Sequence, residues 1–166
     1  MNKLRNKINK KCIIVIICII TLIIIDQITK VLAVELLSED KIIIKDILEF
    51  CYTKNTGIAL GMASNNKITI IISNIIVIVL IIRFMIIQNE RINKFTMVVL
   101  STIVAGGVGN LVDRIFRGFV VDFIKIFPNV NLPIINIADI LIFAGWITLA
   151  FIFALNTYTE FKKRGK

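Results

Sequence analysis

Residues 95–112 read FTMVVLSTIVAGGVGNLV, eighteen positions without a charge, and Asp113 and Arg114 follow at once. A bilayer span needs about 17–25 apolar residues. Lipid offers backbone groups no water, so such a run must satisfy them internally, as a helix. Three more runs share the pattern: 12–25, 68–87 interrupted only by Arg83, and 140–159. The last spans unaided, and the second does so with Arg83 snorkelling at its end. The first is short and must extend through Asp26 to about Val34, which puts a carboxylate near one membrane face. Isoleucine dominates the first two runs. It is a poor helix former in water, but lipid excludes open strands, so helix wins.

Composition agrees. The 166 residues are 57% hydrophobic and 19% charged, with a mean hydropathy of +0.89. A soluble domain is about 45–50% apolar and about 25% charged. A chain of this size buries only about two-thirds of its surface, too little to hide the excess. The reading is an all-α membrane protein of one domain, 1–166. Its spans lie near 12–34, 68–87, 95–114 and 139–159, and its outer loops near 35–67 and 115–138. The N-terminus resembles a secretory signal, but Asp26-Gln27-Ile28-Thr29-Lys30 follows the apolar run in place of a small-residue cleavage site, so an uncleaved first span is expected.

Charge sets the orientation. Residues 1–11, 83–94 and 160–166 hold 12 basic and 2 acidic residues, a net of +10. The remainder holds 8 basic and 9 acidic residues, a net of −1. The positive-inside rule makes the first set cytoplasmic, so both termini are expected inside. The basic residues flank spans without interleaved aromatics, which argues against a nucleic-acid partner.

The chain has no histidine, which removes Ser-His-Asp and Cys-His catalysis and histidine-rich zinc sites. Its three cysteines are too few for a four-thiolate site and read as apolar fillers, so neither metal nor cofactor is expected. What remains is carboxylate chemistry. Ionisable groups at membrane depth are costly and mark candidate sites. On the outer side these are Asp26, Asp113, Arg114, Asp122 and Asp139. Asn110, Asp113 and Arg114 share a helix face at i, i+3 and i+4. Asp139 opens the fourth helix, three residues after Asn136, and Asp122 lies seventeen residues before it in the second outer loop. A folded-back loop between antiparallel helices brings the two aspartates together. Two such carboxylates in a partly dry site cannot both ionise cheaply; one keeps a proton while the other activates water.

Each residue also has a plainer reading. Asn136 is a natural N-cap with Asp139 at N3. Asp113 and Arg114 form an ion pair, Asp122 is a surface acid beside Lys125, and Asp26 and Lys30 form an i, i+4 salt bridge. Lys54-Asn55-Thr56-Gly57 is a turn, and 105–109 (AGGVG) is a close helix contact. Residues 41–52 (KIIIKDILEFCY) alternate too weakly to separate strand from interfacial helix; a short sheet on the membrane surface is expected. On these grounds alone, a non-enzymatic scaffold or small transporter subunit with buried ion pairs stands level with an enzyme.

Five blocks in order break the tie. Asp26–Lys30 (DQITK), residues 55–61 (NTGIALG), 109–114 (GNLVDR), 120–124 (VVDFI) and 136–139 (NIAD) resemble the successive motifs of lipoprotein signal peptidases, over roughly residues 12–158. The resemblance implies a bacterial inner-membrane aspartic endopeptidase that cleaves prolipoproteins just before their diacylglyceryl-modified cysteine. It implies Asp122 and Asp139 as the catalytic pair. It implies Asn55, Gly57, Asn110, Asp113, Arg114, Asn136, Ala138, Asp26 and Lys30 as surrounding substrate-binding positions. It further implies membrane lipids and globomycin-type inhibitors as partners, and a small extracytoplasmic β-rich cradle with a lid segment. A monomer is expected. Two departures are mild: residues 105–110 (AGGVGN) differ from the family's usual GGAxGN but stay small, and Leu60 stands where an aromatic is usual.

Overall fold

The computed structural model describes residues 2–57 and 67–164, with side chains from residue 10 onward. Leu60 and most of the expected lid segment lie outside the described residues. The elements run α1 (Asn2–Leu36), β1 (Lys41–Ile44), β2 (Leu48–Asn55), α2 (Lys67–Ile87), α3 (Lys94–Phe116), β3 (Val120–Ile126) and α4 (Ile137–Arg164). All four helices are long and apolar enough to cross a membrane. They outrun the apolar stretches that announce them, because polar residues at their ends continue the same backbone hydrogen bonding.

α3 is the hub. Its Met97, Leu100 and Val104 are buried against Ile78 and Met85 of α2, with Val15 and Ile19 of α1 and Leu149 of α4 packed around them. The outward faces of α1 and α2, rich in exposed isoleucine such as Ile17, Ile24, Ile72 and Ile76, suit lipid. Small residues let the helices approach. A Cβ on Gly106 would meet the Ala138 carbonyl oxygen and lie 2.8 Å from Cγ1 of Ile142. α3 starts on Asn93, whose side chain accepts from Thr96 N at 2.8 Å. It stops at Gly118, whose φ of +87° favours glycine.

At the other end of the bundle lies an antiparallel sheet of order β1-β2-β3. The expected sheet is present, but its third strand comes from the second loop: 120–126, read from sequence as loop, pairs with β2 about 70 positions earlier. Phe50 faces Ile124 and Thr53 faces Asp122, so β2 carries one extra residue between them. Such a bulge bends the strand and re-aims side chains. Here it sits beside Asp122. Under the sheet, Val121, Phe123 and Ile124 pack with Ala33 of α1.

Candidate active site

The site is built upward from a buried ionic floor. Asp26, Lys30 and Asp113 are each 0% exposed. The Lys30 ammonium has three donors, and it reaches Asp26 Oδ2 at 2.9 Å, Asp113 Oδ2 at 3.1 Å and Asn110 Oδ1 at 2.9 Å. Arg117 pairs with Asp113 Oδ1 from one helical turn away. The group is neutral and fully bonded, as buried charge must be. It corrects two readings. Asp113 pairs with Lys30 and Arg117, not Arg114. Lys125 faces Glu49 across the sheet, 3.6 Å away, rather than Asp122.

Two backbone amides emerge from this floor. Asp113 Oδ2 accepts from Val121 N at 3.1 Å. Asp26 Oδ1 accepts from Ala138 N at 2.9 Å. Val121 directly precedes Asp122, and Ala138 directly precedes Asp139. Each candidate carboxylate is thus anchored through its preceding residue by a buried aspartate. Gly109 permits this: a Cβ there would lie 2.5 Å from Asp26 Oδ2.

Asn136 joins the two carboxylates. Its Nδ2 donates to Asp122 Oδ1 at 2.6 Å, and its Oδ1 accepts from Asp139 N at 2.9 Å. Its own N–H donates to Asp139 Oδ2 at 3.2 Å. This is a reciprocal cap at the start of α4. The capping reading of Asn136 therefore holds, and the same side chain also grips Asp122. The second oxygen of each aspartate is held as well: Asn55 Nδ2 donates to Asp122 Oδ2 and Asn110 Nδ2 to Asp139 Oδ1, both at 2.8 Å. Because Asn110 Oδ1 also accepts from Lys30, the ammonium polarises the amide that serves Asp139.

Burial pushes the Asp122 carboxyl up to about 6; the hydrogen bond from Asn55 opposes this, and the nearby Asp139 charge adds to it. Between the ordinary aspartate value of 3.8 and about 6, the folded chain binds a proton that the unfolded chain has released. Stability from this group is full below that window and is lost as pH rises through it. Wild type is expected to lose on the order of 2 kcal/mol relative to Asp122→Asn between pH 4 and pH 7. Melting temperatures of both proteins in detergent across that range check this; parallel curves would refute it.

Above the aspartates opens a cavity of about 1210 Å³, walled by Asn55, Gly57, Asn110, Arg114, Asp122 and Asp139 together with apolar residues of α4. Arg114 braces the mouth: its guanidinium donates to the Gly57 and Asn110 carbonyls, each at 3.3 Å. The structure brings all the sequence-selected residues together, on two levels. Asn55, Gly57, Asn110, Arg114, Asp122 and Asp139 line the cavity. Asp26, Lys30, Asp113, Asn136 and Ala138, each 0% exposed, do not. The polar atoms of these five are bonded to one another, to neighbouring site side chains and to backbone.

Sequence reasoning passed over Arg117, whose i+4 spacing from Asp113 was a usable signal. It also passed over Phe143 and Trp146, which extend the cavity wall along the exposed face of α4, and over Ile134 beside it. No spacing rule marks Ile134, which enters only through the fold-back of the loop.

A model of the family described as Signal peptidase (SPase) II matches residues 18–155. A protein of Clostridium tetani named lipoprotein signal peptidase is 39% identical over 138 residues, covering 81% of this chain and 88% of the relative. One of the same name from Clostridium novyi is 40% identical over 132 residues, covering 77% and 88%. Among solved structures, one described as a bacterial membrane enzyme superposes with a TM-score of 0.78 at 29% identity, covering 86% of this chain and 88% of that one. Four span-length helices, two aspartates bridged by one asparagine, and relatives matched over most of their length agree: the chain belongs to the signal peptidase II family.

Proposed function

We propose that the chain is a multi-pass aspartic endopeptidase of the bacterial cytoplasmic membrane. It removes the signal peptide from prolipoproteins, cutting just before a diacylglyceryl-modified cysteine. The observation that carries this reading is Asn136 holding Asp122 and Asp139 at the floor of a cavity whose far wall is apolar and continues along a lipid-facing helix. A lipidated peptide needs both features, carboxylates for the bond and an apolar wall for the acyl chains.

While Asp122 keeps its proton, the two carboxyls carry one proton and one charge and act as a unit. One carboxylate takes a proton from water as the water oxygen attacks the scissile carbonyl carbon. The other gives its proton to the amide nitrogen as the C–N bond breaks. The first carboxyl now carries the proton, so the pair ends as it began. Each carboxylate oxygen accepts one protein hydrogen bond from a neutral amide, which leaves lone-pair directions for water and substrate. Arg114 faces the same cavity and balances the single negative charge of the pair. Asn55, Gly57 and Asn110 contact substrate; Asp26, Lys30, Asp113, Asn136 and Ala138 position the groups that do. The sheet end faces outward, both termini lie in the cytoplasm, the chain works as a monomer, and globomycin-type peptides occupy the cavity.

The test is incubation of the purified protein in lipid with a precursor bearing the diacylglyceryl cysteine, and with the same precursor unlipidated. Cleavage of the lipidated form, slowed at least about tenfold when the lipid is absent, is expected. Globomycin is expected to block it. A folded protein that binds the lipidated precursor and leaves it whole would sink the reading.

A further inference from the structure

Residues 134–136 pass β3 on the side opposite β2 and touch it by a single antiparallel bridge, Ile135 to Ile124. Ile135 exchanges both of its backbone hydrogen bonds with Ile124: N to O at 2.9 Å, and O from N at 2.8 Å. In an extended strand successive residues direct their N–H and C=O to opposite sides. The same groups of Ile134 and Asn136 therefore turn away from β3. Asn136 confirms the direction, because its N–H reaches Asp139 Oδ2 at 3.2 Å. Two residues earlier, about 6.7 Å along the same edge, the N–H and C=O of Ile134 have no protein partner among the described residues. Ile134 and Pro133 both line the cavity. An unpaired strand edge beside a protease site is a template for another strand.

We infer that the substrate backbone binds as an added β-strand on the outer edge of residues 134–136, exchanging hydrogen bonds with the N–H and C=O of Ile134. The occupant is the extended peptide flanking the scissile bond. The register follows from the edge itself: Ile134 and the amide that marks Asp139 are two residues apart, so the bond to be cut lies about two residues from the position paired with Ile134. The signal peptide must then leave its helical form near the cut, since a helix has no free backbone groups to offer. This rests on the peptidase reading above, and deepens it.

The experiment scans a synthetic lipidated precursor peptide with single backbone N-methyl groups, one per residue around the cut, against the wild-type enzyme. The expected profile alternates: one position raises KM about tenfold, as loss of a backbone hydrogen bond does, and its immediate neighbours do not. Ile134→Pro, which removes the outward N–H, raises KM by a similar factor with kcat within about twofold. A flat N-methyl profile overturns the inference, as does wild-type KM in a folded Ile134→Pro. Should that variant not fold, the scan alone decides. Should wild type cut no peptide at all, the peptidase reading fails separately, and binding of the same N-methyl series, followed by fluorescence, applies the same criterion.

Discussion

Asp122→Asn and Asp139→Asn are each expected to lower kcat for the lipidated precursor by about 10²–10⁴-fold, the range that general acid–base groups contribute. An amide neither takes the proton from water nor returns one to the leaving nitrogen. The structural cost differs in kind. Both oxygens of Asp122 accept from amide donors, Asn136 and Asn55, and both oxygens of Asp139 from Asn110 and the Asn136 N–H. An introduced NH₂ group must face one of those donors, so each variant loses about 1 kcal/mol of hydrogen bonding. That is too little to unfold the protein and far too little to explain the rate. The double variant is expected to be no slower than the worse single one, because groups acting as a unit are not additive. Rates measured beside melting temperatures decide it; a variant melting like wild type and cutting within tenfold of its rate removes that aspartate from the chemistry.

Lys30→Met is expected to give the largest loss of stability. It strands Asp26 and leaves Asp113 with Arg117 alone, in a place closed to bulk solvent. Breaking a buried ion pair from one side costs about 3–5 kcal/mol, roughly a 10 °C fall in melting temperature for a chain of this size. Adding Asp26→Asn to Lys30→Met removes the stranded charge while the amide oxygen still accepts from Ala138 N. The double variant is therefore expected to recover most of the loss, though not the activity, since Asn110 no longer has its cation. A single variant melting within about 2 °C of wild type would show that the floor is not under electrostatic load.

Much of this was legible in the chain. The four helices were, because lipid leaves an uncharged run of eighteen residues one solution. Asp122 and Asp139 stand out as acids at the membrane edge, and the fold brings both onto Asn136. The two-level site was not legible. Nothing in residues 120–126 announces a strand: Asp122 interrupts the apolar stretch, and its partner strand lies far off in sequence, so the pairing is decided by the way α3 returns the chain. Residues 41–52 were ambiguous for the same reason, a strand signal being weak until its neighbours are known. Asp26, Lys30 and Asp113 stand out in the sequence, and the fold buries all three in one ionic cluster. The sequence spacing of acids and bases reports that they interact, not whether a ligand reaches them.

The anchoring of Ala138 by Asp26 ties the first span to the last. Chains are made N-terminus first, so α1, α2 and α3 are in hand before Asn136, Ala138 and Asp139 exist. Until α4 docks, Asp26 Oδ1 has no amide to accept from, Asp122 lacks the asparagine that aims it, and there is no second carboxylate. Under the proposed mechanism, order of synthesis becomes order of activation: the chain is inert throughout its own assembly, and becomes a protease only as its fourth helix seats.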